Sequence, residues 1–191
     1  MREISGLVIL SWLAACASEP PAPEVTLARA LINEPVTFDT IPKLGTLTIT
    51  AGTDTIPRTF VDFSVGAVDP SAWFEVQSGT PTLSLWALDP NDTDLSGTNS
   101  IRVRATFPTI GPGVSSSATL AAIGEDGATL AAAQDDLQVF VTSLVPVANT
   151  NFARATGTLI GTICRTGDTE ADTQACVPLS GEFDTSVGVQ N

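Results

Sequence analysis

The sequence predicts an all-β protein built as an antiparallel β-sandwich, and three observations predict it. Apolar and polar residues alternate at period two through most segments, as in half-buried strands. Turn signals rich in Gly, Pro, Asn and Asp divide these runs at the roughly 8–12-residue spacing usual for sandwiches and barrels. Composition agrees, because 15 Gly, 13 Pro and abundant Thr suit strands and turns better than helices. Beyond the N-terminal segment no stretch carries a convincing 3.6-residue period. A closed β-barrel is the alternative architecture.

The elements follow in chain order. Leu47 and Ile49 alternate with Thr46, Thr48 and Thr50. Val61, Phe63 and Val65 alternate with Phe60, Asp62 and Ser64. Leu83, Leu85 and Ala87 oppose Thr82, Ser84 and Trp86. The clearest strand places Ile101, Val103, Ala105 and Phe107 on one face and Arg102, Arg104 and Thr106 on the other. Gly111-Pro112-Gly113 is a loop. Ala118–Ala122 and Ala128–Ala132 are near-identical pieces around Glu125-Asp126-Gly127, which reads as a hairpin. A short helix over residues 128–137 is its rival, since Ala and Leu are good helix formers. Asp135-Asp136 is expected to turn the chain into the run Leu137–Leu144, which is apolar on both faces and so predicted to be central. Phe152–Cys164 and Cys176–Val187 form a second hairpin. Leu159 and Ile163 share one face of its first arm, and Val177, Leu179, Phe183 and Val187 one face of its second. Gly157, Gly161 and Gly181 mark bulges or close backbone packing there. About eight to ten strands result, and an immunoglobulin-like sandwich is one form they can take.

Apolar residues make up 43% of the chain, enough for a packed core. The formal net charge of −13 disfavours phosphate backbones and anionic headgroups, so no nucleic-acid partner is expected.

The N-terminus carries the most specific motif. Arg2 is followed by an apolar run from Ile4 to Trp12, and then by Leu13-Ala14-Ala15-Cys16. The order of charge, apolar run, small residues and cysteine resembles the lipobox signal of bacterial lipoproteins. The run is far shorter than the roughly 20 residues of a spanning helix. The resemblance implies cleavage after Ala15 and lipidation of Cys16, with acyl chains holding the protein durably to a membrane. Ala17 and Ser18, with no Asp directly after the cysteine, are similar to the pattern of outer-membrane lipoproteins. Residues 1–15 are thus the expected signal peptide and residues 16–24 a Pro-rich tether. At about 3.1 Å per residue the tether lifts the domain at 25–191 roughly 20–25 Å off the bilayer.

The same resemblance allots the cysteines. With Cys16 lipidated in an oxidising compartment, Cys164 and Cys176 are the remaining pair and imply a disulfide across the mouth of the second hairpin.

Catalysis has little to stand on. The chain has no His and no Tyr, and Lys43 is its one lysine. Paired carboxylates can hydrolyse glycosides, but no two of them sit in a recognisable catalytic setting. Asp92-Thr93-Asp94-Leu95-Ser96-Gly97 resembles the opening of an EF-hand-type calcium loop, with Asp89 and Asn91 adding oxygen ligands just upstream. The twelfth position is Val103, where that pattern has a bidentate Glu. The competing reading is a loop whose side chains satisfy its own backbone. Asp168, Glu170 and Asp172 form a second acidic cluster, expected to be a solvated loop tip. Trp73 and Trp86 are expected to pack in or beside strands, an aromatic platform for carbohydrate being the sharper reading.

The expectation is therefore a lipid-anchored cell-envelope protein, a structural or binding module without catalytic activity or obligate cofactor. Its partners would be the membrane and envelope proteins or glycans. A calcium-dependent adhesion or glycan-binding domain is the alternative.

Overall fold

A computed structural model of the protein describes residues 38–63, 70–91, 97, 99–123, 129–132, 136–166 and 176–190. These form eleven strands and no helix: β1 (Lys43–Ala51), β2 (Asp54–Val61), β3 (Ala72–Gln77), β4 (Thr80–Ala87), β5 (Ile101–Thr106), β6 (Gly113–Val114), β7 (Ser117–Ile123), β8 (Thr129–Ala132), β9 (Gln138–Pro146), β10 (Phe152–Thr166) and β11 (Cys176–Gln190). The protein is all-β. The signal segment, the tether, Cys16 and the cluster Asp168–Asp172 lie outside the described residues.

The strands form one continuous sheet in the order β2-β1-β11-β3-β4-β5-β7-β8-β10-β9-β6, and β10 pairs with β11 as well. Hydrogen bonding therefore runs in a circuit from β11 through β3, β4, β5, β7, β8 and β10 back to β11. The fifteen-residue strands β10 and β11 make this possible. Near its end β11 leaves β1 and takes up β3, and near its end β10 leaves β9 and takes up β8. The two faces of the predicted sandwich are thus joined in a single hydrogen-bonded sheet. The antiparallel expectation needs one correction, because Gly188–Gln190 pair with Trp73–Glu75 in parallel.

One core gathers the inward residues of both faces: Leu47, Ile49, Leu159, Leu179, Phe183 and Val187 with Phe74, Leu83, Leu85, Val103 and Leu120. Phe74 and Phe107 meet edge-on with centroids 5.4 Å apart. The alternation in β1, β4 and β5 places its apolar residues in this core, as expected. The Ala-rich repeats pair as a hairpin, Ala121 opposite Ala131 and Ile123 opposite Thr129, so the helical rival is excluded for residues 129–132.

Three expectations change. The strand around Phe60 begins at Asp54, with Pro57 accommodated opposite Thr48 of β1. Phe60 and Val61 are both buried because the first faces the main core and the second a satellite cluster, while Ser64 and Val65 lie outside the described residues. The run Leu137–Leu144 is not central. β9 pairs with β10, but its other side meets only the two residues of β6. Val139 and Val141 face the core while Phe140 is half-buried, so the doubly apolar run reflects partial cover rather than a central position. Val177 is 37% exposed at the hairpin mouth, unlike Leu179, Phe183 and Val187, because the β1 ladder ends at Leu179 and leaves Val177 with Ile163 of β10 as its one described ladder partner.

A satellite cluster of Phe38, Ile41, Val61 and Leu88 forms apart from the main core, with Phe63 and Trp86 packed against it. Lys43 closes its edge, its ammonium over the Phe38 ring and donating to the Phe38 carbonyl. Burial holds the Lys43 pKa below the usual lysine value, and the Asp39 carboxylate offsets this in part.

Candidate functional site

Strands β3, β4, β5 and β7 follow one another in the sheet, and their outward side chains form two rows. The first row is Trp73, Ser84, Arg104 and Thr119, each directly opposite the next. The second row holds Trp86, Arg102 and Ala121. The alternation that buries Phe74, Leu85, Val103 and Leu120 sends these residues to the other face. Ser84 stands between Trp73 and Arg104, and its small side chain leaves a trough flanked by two large ones. A cavity of about 480 Å³ opens here, lined by both tryptophans, both arginines and Phe63. Trp73 and Trp86 are diagonal neighbours across β3 and β4, about 7–8 Å apart at this spacing.

The walls are held from behind. Trp73 lies against Gly188 of β11, where a Cβ would come within 2.3 Å of its ring. The parallel β11–β3 joint thus seats one wall, and glycine is what permits the contact. Trp86 packs at 5.1 Å from Phe63 and carries the Arg102 guanidinium 4.8 Å from its ring centroid. Its backbone N–H donates to the Ser71 carbonyl at 2.8 Å. The Ser71 hydroxyl in turn accepts from Val61 N–H at 2.9 Å, tying this corner to β2. The indole Nε1–H of Trp86 is buried without a hydrogen-bond partner among the described residues. Arg104 donates to the side-chain carbonyl of Gln77, whose amide donates to Glu75. Arg102 has the Trp86 ring as its described partner.

A second trough of about 350 Å³ lies on the outer face of β1, β11, β10 and β9. It is lined by Thr46, Thr48, Thr142, Thr156 and Thr158 around Glu182 and Asp184. Its lining lacks aromatic platforms apart from Phe183, which belongs to the core. Asp184 is engaged by Arg154 at 2.5 Å.

The predicted site residues fare unevenly. Cys164 and Cys176 are bonded, and as directly opposed residues they close the β10–β11 ladder. Asp89 and Asn91 are brought together, but with each other: Asp89 Oδ1 accepts from Asn91 N–H at 2.9 Å and from its Nδ2 at 3.1 Å. Asp89 Oδ2 faces Arg58 at 3.6 Å. These two residues thus form an Asx turn, in which a side-chain oxygen satisfies its own loop's N–H groups. Gly97 has φ of +73°, the left-handed turn expected of a sixth-position glycine. Val103, at the twelfth position, is buried in the core. Asp92, Asp94 and Ser96 lie outside the described residues. Among the described residues no three His, Cys, Asp or Glu side chains gather to hold a metal.

The aromatic trough was only half visible in the sequence. Alternation turned Trp86 outward on one strand and Arg102 and Arg104 outward on another; the β4–β5 and β3–β4 pairings bring them onto one face with Trp73. No protein-family model, curated protein or solved structure matches the chain.

Proposed function

We propose that this protein is a lipid-anchored binding module of the bacterial cell envelope that holds a saccharide in the trough between Trp73 and Arg104. One observation carries the binding half of this reading: two tryptophans, a half-buried Phe63, hydroxyls from Ser84 and Thr119 and two guanidinium groups converge on one concave patch of a rigid sheet. A sugar ring has an apolar C–H face and a polar rim. Indole and phenyl walls suit the first, and hydroxyl and guanidinium donors the second. Sites on strands are held more firmly than sites on loops, which lowers the ordering cost of binding. The Leu13-Ala14-Ala15-Cys16 motif supports the anchoring half.

Each half has its own measurement. Mass spectrometry of the protein from its native host should find a mature chain that begins at Cys16 and carries acyl chains; an N-terminus at any other residue, or a free thiol there, removes the anchor. For the trough, Trp73→Ala is expected to weaken oligosaccharide binding by about ten-fold or more, in line with the loss of one aromatic stacking surface. Ser84→Leu fills the floor and should abolish binding while leaving the melting temperature within a few degrees. Unchanged affinity in both variants would sink the assignment of the trough.

A further inference from the structure

We infer that the saccharide held in this trough is anionic, an oligosaccharide carrying carboxylate or sulfate groups. The inference rests on the reading of the trough as a saccharide site and concerns its charge. The chain has 21 acidic residues against 8 basic ones. A surface patch drawn from such a composition should be acidic, and the trough on β1, β11, β10 and β9 is: its charged lining residues are Glu182 and Asp184. The aromatic trough reverses the sign. Its described lining holds Arg102 and Arg104 and no carboxylate.

The two arginines stand at i and i+2 on β5, both outward and both exposed. At roughly 3.3 Å of rise per residue this places their backbones about 6.6 Å apart on one face. Like charges so placed repel, and nothing in the described lining offsets them with an opposite charge. Each is instead positioned. The Trp86 ring supports the Arg102 guanidinium, and Gln77 accepts from Arg104. Glu75 reaches Arg104 only through that glutamine, outside the trough lining. A guanidinium on an aromatic face keeps its in-plane N–H donors, whose fork matches a carboxylate or sulfate. The net charge of −13 on the chain adds selectivity, because it disfavours anions that lack an aromatic-binding face to hold them in the trough.

A printed array of neutral, carboxylated and sulfated oligosaccharides tests this with the intact exported chain, followed by calorimetry on the strongest hits. The expected result is binding confined to acidic oligosaccharides, at least ten-fold tighter than to their neutral counterparts and weakening as salt rises. The double variant Arg102→Gln with Arg104→Gln should erase that preference. Arg102→Lys with Arg104→Lys keeps the charge but not the fork and should recover it only in part. Equal binding of neutral and acidic sugars, or an acidic preference that survives the glutamine variant, overturns the charge assignment and leaves the saccharide site standing. No sugar bound at all overturns both.

Discussion

Replacing Cys164 and Cys176 by serine is expected to cost about 3 kcal/mol of stability, the loop-closure entropy returned to the unfolded chain. For a domain of this size that is a fall in melting temperature of roughly 6–12 °C. The bridge spans a sequence separation of 12 and joins two residues already opposed in the ladder. Position adds a second, local consequence. Just here β10 passes from β11 on one side to β8 on the other, with Cys164 opposite both Cys176 and Ala131. The β8 strand has four residues, and it is the joint that closes the hydrogen-bonded circuit. Without the bridge, amide exchange should quicken first in Ala131–Ala132 and Ile163–Thr166, well before the amides of β4 and β5. A melting temperature unchanged by both serine replacement and reduction would show that the bridge contributes nothing to the fold. Uniform acceleration across the sheet would instead show that the joint is not a separate unit.

That bridge was legible in the sequence for a reason that does not extend to the rest of the molecule. Cysteine pairing is an arithmetic of few residues, and period-two alternation is a local signal. Together they yield the strands β1, β4, β5, β7, β10 and β11 and tell which side chains face inward. What they do not carry is the partner of each strand. The β11–β3 joint pairs Gly188 with Trp73 across most of the chain, and no spacing in either segment announces it. The exposed edge of β9 is hidden for the opposite reason. Its residues are apolar on both sides, which local pattern equates with a central strand, whereas the cover on one side is a two-residue strand and partial burial. The aromatic trough lies between these cases. Outward placement of Arg102, Arg104 and Trp86 follows from alternation alone, but the trough exists because Ser84 is flanked by Trp73 on one neighbouring strand and Arg104 on the other. That is a fact of register.

Gly157→Ala is expected to be at least as damaging, at about 3 kcal/mol or more, although it adds a single methyl group. A Cβ at this position would lie 2.2 Å from the Phe140 carbonyl oxygen and 2.4 Å from Cζ of Phe183. Neither neighbour can yield cheaply. The Phe140 carbonyl belongs to the β9 backbone, and the register between β9 and β10 already shifts at Thr156/Gly157. Moving it further would strip hydrogen bonds from a strand that has little cover on its far side. Phe183 is buried in the core, so its ring can retreat only by displacing close-packed neighbours. The bulge and the missing side chain are therefore one device: they let a phenyl ring of β11 pass beneath β10. Gly113→Ala is the matched control, since nothing lies within 4 Å of its Cβ and its φ is not positive; its stability should change by no more than about 0.5 kcal/mol. Chemical denaturation of both variants decides the matter. If Gly157→Ala unfolds at the same denaturant concentration as Gly113→Ala, the close approach of Phe183 and the β9 backbone is not what requires glycine there. If it is destabilised, Gly157→Ala combined with Phe183→Leu should recover part of the loss, because the smaller side chain vacates the space the new methyl group takes, while the clash with the Phe140 carbonyl remains.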